Sequence, residues 1–233
     1  MRLDQLLVEK GLCENRSRAQ QVITTDGVEV DGKLIHKVSA KVTSEMDIVL
    51  LNKQYVSRAA FKLKHFLENN SVDIRGKSCL DVGSSTGGFV QVMLENGVEN
   101  ITAVDVGTNQ LHISLREIEE VNLYEQTDIR DFRSPAFEFV TCDASFISLL
   151  NIIEAIDRLS SDKIVLLFKP QFEVGKEAKR NRKGVVVDEH AIEKAFEHFL
   201  DECKRLSWKL LIQEKSGIKG KEGNQEILCY FQK

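Results

Sequence analysis

Residues 78–89 read SCLDVGSSTGGF, a short apolar run that leads directly into a glycine-rich turn. The apolar run predicts a strand over 78–82, and the apolar stretch after the turn predicts a helix over 87–96. Glycines let the backbone approach a ligand closely and adopt positive φ angles that other residues avoid. The stretch therefore predicts a strand–turn–helix unit whose turn can hold a cofactor.

Strands and helices alternate along most of the remaining chain. Further strands are predicted over 101–106, 123–126, 137–142, 164–168, 206–213 and 226–231. Further helices are predicted over 57–67, 109–118, 148–159 and 188–206. This order predicts an α/β fold, a Rossmann-like sheet of seven strands that is mostly parallel. Only residues 214–225 separate the last two strands, so these should form a hairpin and make one strand antiparallel.

The N-terminal residues predict a separate small αβ module. Apolar residues recur there at helical spacing, and the pair Asp31-Gly32 is a strong hairpin signal between two short strands. So few residues make a marginal core, and such a module usually docks on a partner. We expect this module over 1–53, a linker over 54–57 and the main domain over 58–233.

The composition is that of an ordinary globular protein, with 42% hydrophobic and 29% charged residues and a formal net charge of −4. It excludes wholesale disorder, and no apolar run approaches the roughly 20 residues that a membrane span needs. The N-terminus lacks the apolar core of a secretory signal. The 5 cysteines show no CxxC spacing, and the 5 histidines show no metal-ligand spacing. We therefore expect a cytoplasmic protein with neither a disulfide framework nor a metal site.

Acidic residues after successive strands indicate the cofactor. Asp81 precedes the glycine turn, Asp105 ends the next strand, where it can accept hydrogen bonds from a ribose diol, and Asp128 follows the third strand. If the ligand carries an adenine, Asp128 would accept a hydrogen bond from its amino group, and Ile129 could pack against its ring. The turn reads GxxxGG rather than GxGxxG, which disfavours a dinucleotide as the ligand. It also lacks the Lys-Ser/Thr pair of a phosphate-binding loop, which disfavours nucleotide hydrolysis.

This pattern fits S-adenosylmethionine (SAM), whose amino acid and ribose both need acceptors. The predicted cofactor-binding residues are Asp81, Gly83, Ser84, Ser85, Thr86, Gly87, Gly88, Phe89, Asp105, Val106, Asp128 and Ile129. The alternative is a turn that serves only tight packing between strand and helix.

Four charged residues are candidates for the chemistry. Asp143 and Lys169 follow two predicted strands, and carboxyl ends of parallel strands meet at the edge where ligands bind. Lys62 lies on the helix before the first large-domain strand, and Glu226 begins the last strand. Such a set suits methyl transfer to a ribose 2′-hydroxyl, which is a poor nucleophile until it loses its proton. A lysine can remove that proton only if it is itself neutral, and burial or a second cation favours the neutral form. Lys169 is the predicted base and Lys62 the second cation. The alternative for each residue taken alone is an ordinary surface salt bridge.

Several longer stretches resemble the TlyA family of rRNA 2′-O-methyltransferases, also called haemolysin A. The stretches that carry the resemblance are Arg2-Leu3-Asp4, Ser17-Arg18-Ala19, 28–32, 55–62, 83–89, 103–107, 143–149 and 169–176. The resemblance implies an S-four-type RNA-binding domain followed by an FtsJ-like SAM-dependent methyltransferase domain. It also implies that Lys62, Asp143, Lys169 and Glu226 form a catalytic tetrad, that a cytidine in ribosomal RNA is the substrate, and that the chain is the short family form that acts on the large subunit.

Residues that would hold RNA are predicted in both domains. Residues 163–184 contain seven basic side chains against two acidic ones. Phe146, three residues after Asp143, is placed to stack on a flipped base, although core packing is an equal alternative. The predicted RNA-binding residues are Arg2, Arg16, Arg18, Lys37, Phe146 and Lys176.

Two other classes of function remain open from the sequence. The chain could be a ribosome-assembly factor that binds RNA without chemistry, although an intact tetrad favours an enzyme. It could methylate a base or a small molecule, but it lacks the NPPY-like tetrad of amine methylation and the Pro-Cys nucleophile of C5 methylation. Nothing in the residues supports membrane lysis, in spite of the haemolysin name.

Overall fold

The computed structural model describes residues 1–13, 15–51 and 55–233. The chain divides into two compact units, 1–54 and 55–233. The predicted end of the first domain at Lys53, and the start of the predicted linker at Gln54, lie outside the described residues.

The N-terminal unit packs two helices against a small antiparallel sheet. The helices are α1 (Leu3–Glu9) and α2 (Arg16–Thr25), and the strands are β1 (Val28–Val30), β2 (Lys33–Ile35) and β3 (Ile48–Leu50), in the order β2-β1-β3. Asp31 and Gly32 both have positive φ angles, 47° and 74°, as a tight hairpin requires. Asn15 caps α2 by accepting a hydrogen bond from the Arg18 amide at 2.9 Å.

The larger unit contains a seven-stranded sheet with the order β6-β5-β4-β7-β8-β10-β9. Its strands are β4 (Ser78–Val82), β5 (Asn100–Val104), β6 (Val121–Tyr124), β7 (Phe137–Cys142), β8 (Ser160–Phe168), β9 (Lys209–Lys215) and β10 (Ile227–Gln232). Strands β4 to β8 pair in parallel, while β10 runs antiparallel between β8 and β9. The prediction of a mostly parallel sheet with one antiparallel strand in a C-terminal hairpin is confirmed.

Helices cover both faces of this sheet. They are α3 (Ala59–Asn69), α4 (Gly88–Glu95), α5 (Ile113–Arg116), α6 (Ile153–Leu159), α7 (Pro170–Glu173) and α8 (Glu189–Arg205), with a 3₁₀ turn at Leu149–Asn151. Side chains of α3 and α4 share one apolar cluster, and those of α6 and α8 share the other. Because successive strand residues point to opposite faces, Cys79 belongs to the first cluster and Leu80 to the second.

The helix predicted over 109–118 is wrong for its first half. Only Ile113–Arg116 is helical. Asn109 has a positive φ of 54°, which a helix does not allow. The Glu125 carboxylate accepts hydrogen bonds from the amides of Asn109 and Gln110 at 2.9 and 2.8 Å and so holds this non-helical turn.

Several other boundaries differ from the prediction, among them the start of β8 at Ser160 rather than 164 and the end of β5 at Val104 rather than 106. The third strand of the larger unit is Val121–Tyr124 rather than 123–126, and Gln126 adopts a positive φ. The helix predicted over 148–159 is interrupted at Ile152, which separates the 3₁₀ turn from α6. The strand predicted over 206–213 is shifted to Lys209–Lys215, because α8 ends at Arg205 and Ser207 turns the chain with a positive φ.

Candidate active site

Two adjoining cavities open at the carboxyl edge of the parallel strands. Their volumes are about 290 and 500 Å³, in the range of small-molecule sites. Both are lined by Gly83 and Ser85 of the turn after β4 and by Asp143, Ser145 and Phe146 of the loop after β7. The site therefore lies where ligands bind in open α/β sheets.

The glycine turn packs tightly against the loop after β7. Gly83 has a φ of +76°, and a Cβ atom there would lie 2.9 Å from the Cα of Ala144. Gly87, with a φ of +93°, precedes α4 and faces the side chains of Leu111 and Leu115 at a distance too short for a Cβ atom. Glycine is required at both positions, by close approach as well as by backbone conformation.

Asp105 ties the glycine turn to the loop after β5. Its two carboxylate oxygens accept hydrogen bonds from the amides of Ser85 and Gly107, each at 2.7 Å. Asp105 and the exposed Val106 line the smaller cavity. A carboxylate has about four acceptor sites, so two remain for a ligand such as a ribose diol.

Asp128 and Ile129 line the same cavity, but Asp128 has a partner that the sequence did not suggest. The Arg130 guanidinium lies 2.5 Å from Asp128 Oδ2, and the Arg130 amide donates to Oδ1 at 2.9 Å. Hydrogen bonds from this guanidinium hold the pKa of Asp128 below its usual range. An adenine amino group would share the carboxylate with Arg130.

Asp81 is a buried carboxyl group beside the larger cavity. It is 1% exposed and accepts a hydrogen bond from Thr141 Oγ1 at 2.6 Å. Burial raises the pKa of Asp81 to about 7, and the nearby carboxylates of Asp143 and Asp105 act in the same direction. A cationic group bound nearby would favour the ionised form.

Three buried polar atoms at the larger cavity lack a hydrogen-bond partner among the described residues. They are Ser84 Oγ, Gln171 Oε1 and Asp143 Oδ1, and the last of these forms an ion pair with Lys169. Buried polar atoms without a partner in a protein usually receive one from a ligand or from water.

Of the other predicted cofactor residues, Thr86, Gly88 and Phe89 line this cavity as well. Carboxylates, an unpartnered hydroxyl and a close glycine turn suit SAM, which offers an ammonium group, a ribose diol and an adenine amine.

The four predicted catalytic residues converge at the larger cavity. Lys62 Nζ lies 2.6 Å from Glu226 Oε2 and 4.0 Å from Asp143 Oδ2, and Lys169 Nζ lies 2.6 Å from Asp143 Oδ1. All four side chains are buried or nearly so. The arrangement is a chain of alternating charges, Glu226, Lys62, Asp143 and Lys169.

The fold explains how distant positions meet. Asp143 and Lys169 follow the neighbouring strands β7 and β8, and Glu226 directly precedes β10, whose start pairs with the end of β8 because the two are antiparallel. Pro170 is the first residue of α7 and holds Lys169 in an extended backbone. Lys62 reaches the same point from α3.

Ser145 is a site residue that the sequence did not suggest. Lys169 Nζ donates hydrogen bonds to Ser145 Oγ at 2.9 Å and to the Asp143 carbonyl oxygen at 3.0 Å. The only sequence signal was its position two residues after Asp143 in a stretch shared with the TlyA family.

Phe146 is not a core residue. Its side chain is 92% exposed, its φ is +66°, and its ring lies 5.3 Å from that of Phe172. A positive φ is costly for a bulky residue, so the surrounding loop holds this ring in the solvent at the mouth of both cavities.

Arg2 and Arg16 share a buried partner in the N-terminal unit. Asp4 is fully buried, and its carboxylate accepts from Arg2 Nε and Arg16 Nη2, each at 2.9 Å, and from the Gln20 amide. Hydrogen bonds from these groups hold the pKa of Asp4 well below its usual range. About half of each arginine side chain remains exposed. The two guanidinium groups are thus fixed side by side at the surface.

The other predicted RNA-binding residues are distributed over both units. Arg18 is half-buried on α2 and donates to Gln21 Oε1 at 3.2 Å, and Lys37 is exposed in the same unit. Lys176 is exposed in the larger unit, after α7.

Neither a membrane-spanning helix nor a cluster of metal ligands occurs in the described ranges. No helix in them has the length and apolarity to cross a membrane. No group of three or more potential ligand side chains in them is arranged to hold a metal ion.

Known proteins match both units of the chain. The model of the FtsJ-like methyltransferase family matches residues 55–233, and that of the S4 domain matches residues 1–49. The chain is 47% identical to the 23S rRNA (cytidine-2′-O)-methyltransferase TlyA of Campylobacter jejuni, over 99% of each chain. It is 34% identical to the 16S/23S rRNA (cytidine-2′-O)-methyltransferase TlyA of Mycobacterium tuberculosis, over 99% of this chain and 89% of that one. A solved structure from Streptococcus thermophilus, described as a hemolysin, has a TM-score of 0.73 and 34% identity, and covers 100% of this chain and 88% of that one.

Proposed function

The chain belongs to the TlyA family, whose members join an S4 domain to an FtsJ-like methyltransferase domain, and we propose that it methylates the ribose 2′-hydroxyl of a cytidine in 23S rRNA. The observation that carries this proposal is the convergence of Lys62, Asp143, Lys169 and Glu226 at one cavity. The 23S specificity rests on the relative that is 47% identical and is named for that RNA.

The cavities have separate roles in this proposal. Asp105, Asp128 and Ile129 hold the nucleoside of SAM in the smaller cavity, and Asp81 and Ser84 hold its amino acid beside the larger one. When bound, SAM supplies an activated methyl group that an oxygen nucleophile can take. The residues of the chain position that nucleophile and remove its proton, since methyl transfer itself gains mainly from alignment.

The tetrad suits proton removal from a weak acid. Lys169 serves as the base, and Asp143 orients it through the contact at 2.6 Å. Lys62, held by Glu226, places a second positive charge next to Asp143. That charge stabilises negative charge that develops on the ribose oxygen.

RNA is held by residues of both units. Phe146, beside the half-buried Phe172, offers exposed aromatic surface at the mouth of the site, on which a base flipped out of its helix can stack. The paired guanidinium groups of Arg2 and Arg16, with Arg18, Lys37 and Lys176, contact phosphates. We place the reaction on the large ribosomal subunit, and therefore in the cytoplasm.

Transfer of labelled methyl groups tests the function. Large subunits from cells that lack the gene are incubated with purified protein and SAM labelled in the methyl group, and the rRNA is digested to nucleosides. We expect the label in 2′-O-methylcytidine of 23S rRNA and none with Lys169→Ala. Label in a methylated base would indicate a base methyltransferase, and tight subunit binding without label would indicate an assembly factor. Either result would refute the proposal.

A further inference from the structure

Lys169 is held by three protein oxygens. Its side chain is 6% exposed, its nitrogen donates hydrogen bonds to the Asp143 carbonyl oxygen at 3.0 Å and to Ser145 Oγ at 2.9 Å, and it forms an ion pair with Asp143 Oδ1 at 2.6 Å. Hydrogen bonds thus take two of the three positions that a tetrahedral ammonium nitrogen has besides its carbon substituent. Because the nitrogen is also buried, a ribose hydroxyl has little direct access to it and can reach the lysine through one of these partners.

Ser145 is the partner that faces the substrate. It is exposed and lines both cavities, whereas Lys169 is buried and lines only the larger one. The Asp143 carbonyl and carboxylate oxygens can only accept hydrogen bonds. A serine hydroxyl donates and accepts at the same time and rotates to suit, so Ser145 alone among the three can pass a proton on.

We propose that Ser145 relays the proton from the ribose 2′-hydroxyl to Lys169, an inference that rests on the proposed function. The bond between the 2′-oxygen and its hydrogen breaks, and that proton forms a new O–H bond at Ser145 Oγ. The original hydroxyl proton of Ser145 moves to the neutral amine of Lys169. The electron pair left on the 2′-oxygen forms the bond to the methyl carbon as the sulfur–carbon bond breaks, and the sulfonium becomes a neutral thioether.

The loop that carries Ser145 is well anchored for this role. Ala144 packs against Gly83, where a Cβ atom would lie 2.9 Å from its Cα, and the Asp143 amide donates to the Val82 carbonyl at 3.2 Å. These contacts hold the backbone on both sides of the tetrad aspartate. The hydroxyl of Ser145 is therefore presented to Lys169 by a rigid segment, as a relay requires.

Single-turnover methylation of large subunits in mixtures of H₂O and D₂O tests the relay. We expect Ser145→Ala to slow methyl transfer on the order of 100-fold, the low end of what proton-transfer groups contribute. The wild-type rate should depend on the deuterium fraction along a bowed curve, because two protons move together, and the curve should become linear in Ser145→Ala. Ser145→Thr, which keeps the hydroxyl, should restore both the rate and the bowed curve.

Calorimetric SAM affinity should be unchanged in both variants, which separates the relay from damage to the site. Ser161→Ala is the matched control, because Ser161 donates to the Phe137 carbonyl at the opposite end of β8 and its loss should leave the rate unchanged. A Ser145→Ala rate within twofold of wild type, or a lower rate with the bowed curve intact, would overturn the relay while the proposed function stands. Absence of any 2′-O-methylation by the wild-type protein would overturn both.

Discussion

Lys62 Nζ lies 2.6 Å from Glu226 Oε2, although 164 positions of sequence separate the two residues. Both side chains are buried, and Asp143 at 4.0 Å is the other carboxylate near Lys62. A buried charge that loses its partner is strongly destabilising, whereas an apolar pair of similar size in the same place often is not. This pair therefore links the stability of the larger unit to its chemistry.

Glu226→Ala should lower the free energy of unfolding by about 3–5 kcal/mol, because it leaves Lys62 buried with only the distant Asp143. The double variant Lys62→Met with Glu226→Leu should recover most of that stability, since no charge remains uncompensated. Neither variant should methylate RNA. Urea denaturation followed by fluorescence measures the first effect and labelled methyl transfer the second. A double variant as unstable as the single one would show that packing, not charge pairing, explains the loss.

Lys169→Arg should be as inactive as Lys169→Ala, with a loss of about 10²–10⁴-fold in rate, because an arginine keeps the charge but cannot act as a base. Affinity for SAM and for large subunits should remain near that of the wild type. Single-turnover rates with saturating protein provide the measurement. Substantial activity in Lys169→Arg would mean that this residue only stabilises charge.

Asp81 should make the unbound protein less stable as the pH rises. Its pKa is about 7 in the folded protein and near 3.8 in an unfolded chain, so the folded state binds the proton more tightly. The resulting stabilisation is present below pH 4 and is lost as the pH rises to about 7, with an upper limit of about 4 kcal/mol. Asp81→Asn should flatten the change in unfolding free energy between pH 5 and pH 8. Equal slopes for the two proteins would refute the assignment.

SAM binding should show the opposite pH dependence. If the carboxylate of Asp81 receives the ammonium group of SAM, affinity should rise as the pH increases through about 7, because the ionised form is the one that binds. Calorimetry at pH 6 and pH 8 measures this directly, and Asp81→Asn should bind weakly at both. An affinity independent of pH in the wild type would place the ammonium group elsewhere.

Arg18→Glu should prevent methylation of large subunits and leave SAM affinity intact, because we expect the N-terminal unit to contribute phosphate contacts that methyl transfer needs and SAM binding does not. Removal of one ion pair with a phosphate should lower the slope of log affinity against log salt by about 0.7–0.9. The control is Lys204→Glu, an equal charge reversal at an exposed position of α8, which should leave the slope unchanged. A wild-type rate in Arg18→Glu would mean that another surface docks the RNA.

The ends of β7 and β8 were predictable from the sequence, and so was the convergence of Lys62, Asp143, Lys169 and Glu226. Largely apolar runs place Asp143 and Lys169 at the carboxyl edge, and a hairpin at the C-terminus brings Glu226 beside them. The hydrogen-bond and ion-pair partners of loop residues were not predictable, because they leave no periodic signal in the sequence. Glu125 accepts from the Asn109 amide in a turn where a helix was predicted, Arg130 forms an ion pair with Asp128, and Asp4 forms ion pairs with Arg2 and Arg16.

Such interactions depend on how loops fold in three dimensions, because any polar side chain within reach can satisfy a backbone or charged group. The hydrogen bond between Ser145 and Lys169 is of the same kind. It joins two loops after neighbouring strands, and no spacing in the sequence distinguishes this serine from a surface residue.

Primer extension at limiting nucleotide concentration on 23S rRNA tests the central claim most directly. RNA is compared from cells that lack the gene and carry either the wild-type protein or Lys169→Arg. We predict one strong stop next to a cytidine with the wild-type protein and no such stop with Lys169→Arg or without the gene. Identical stops in all three RNAs would contradict the claim that this protein methylates a ribose of 23S rRNA.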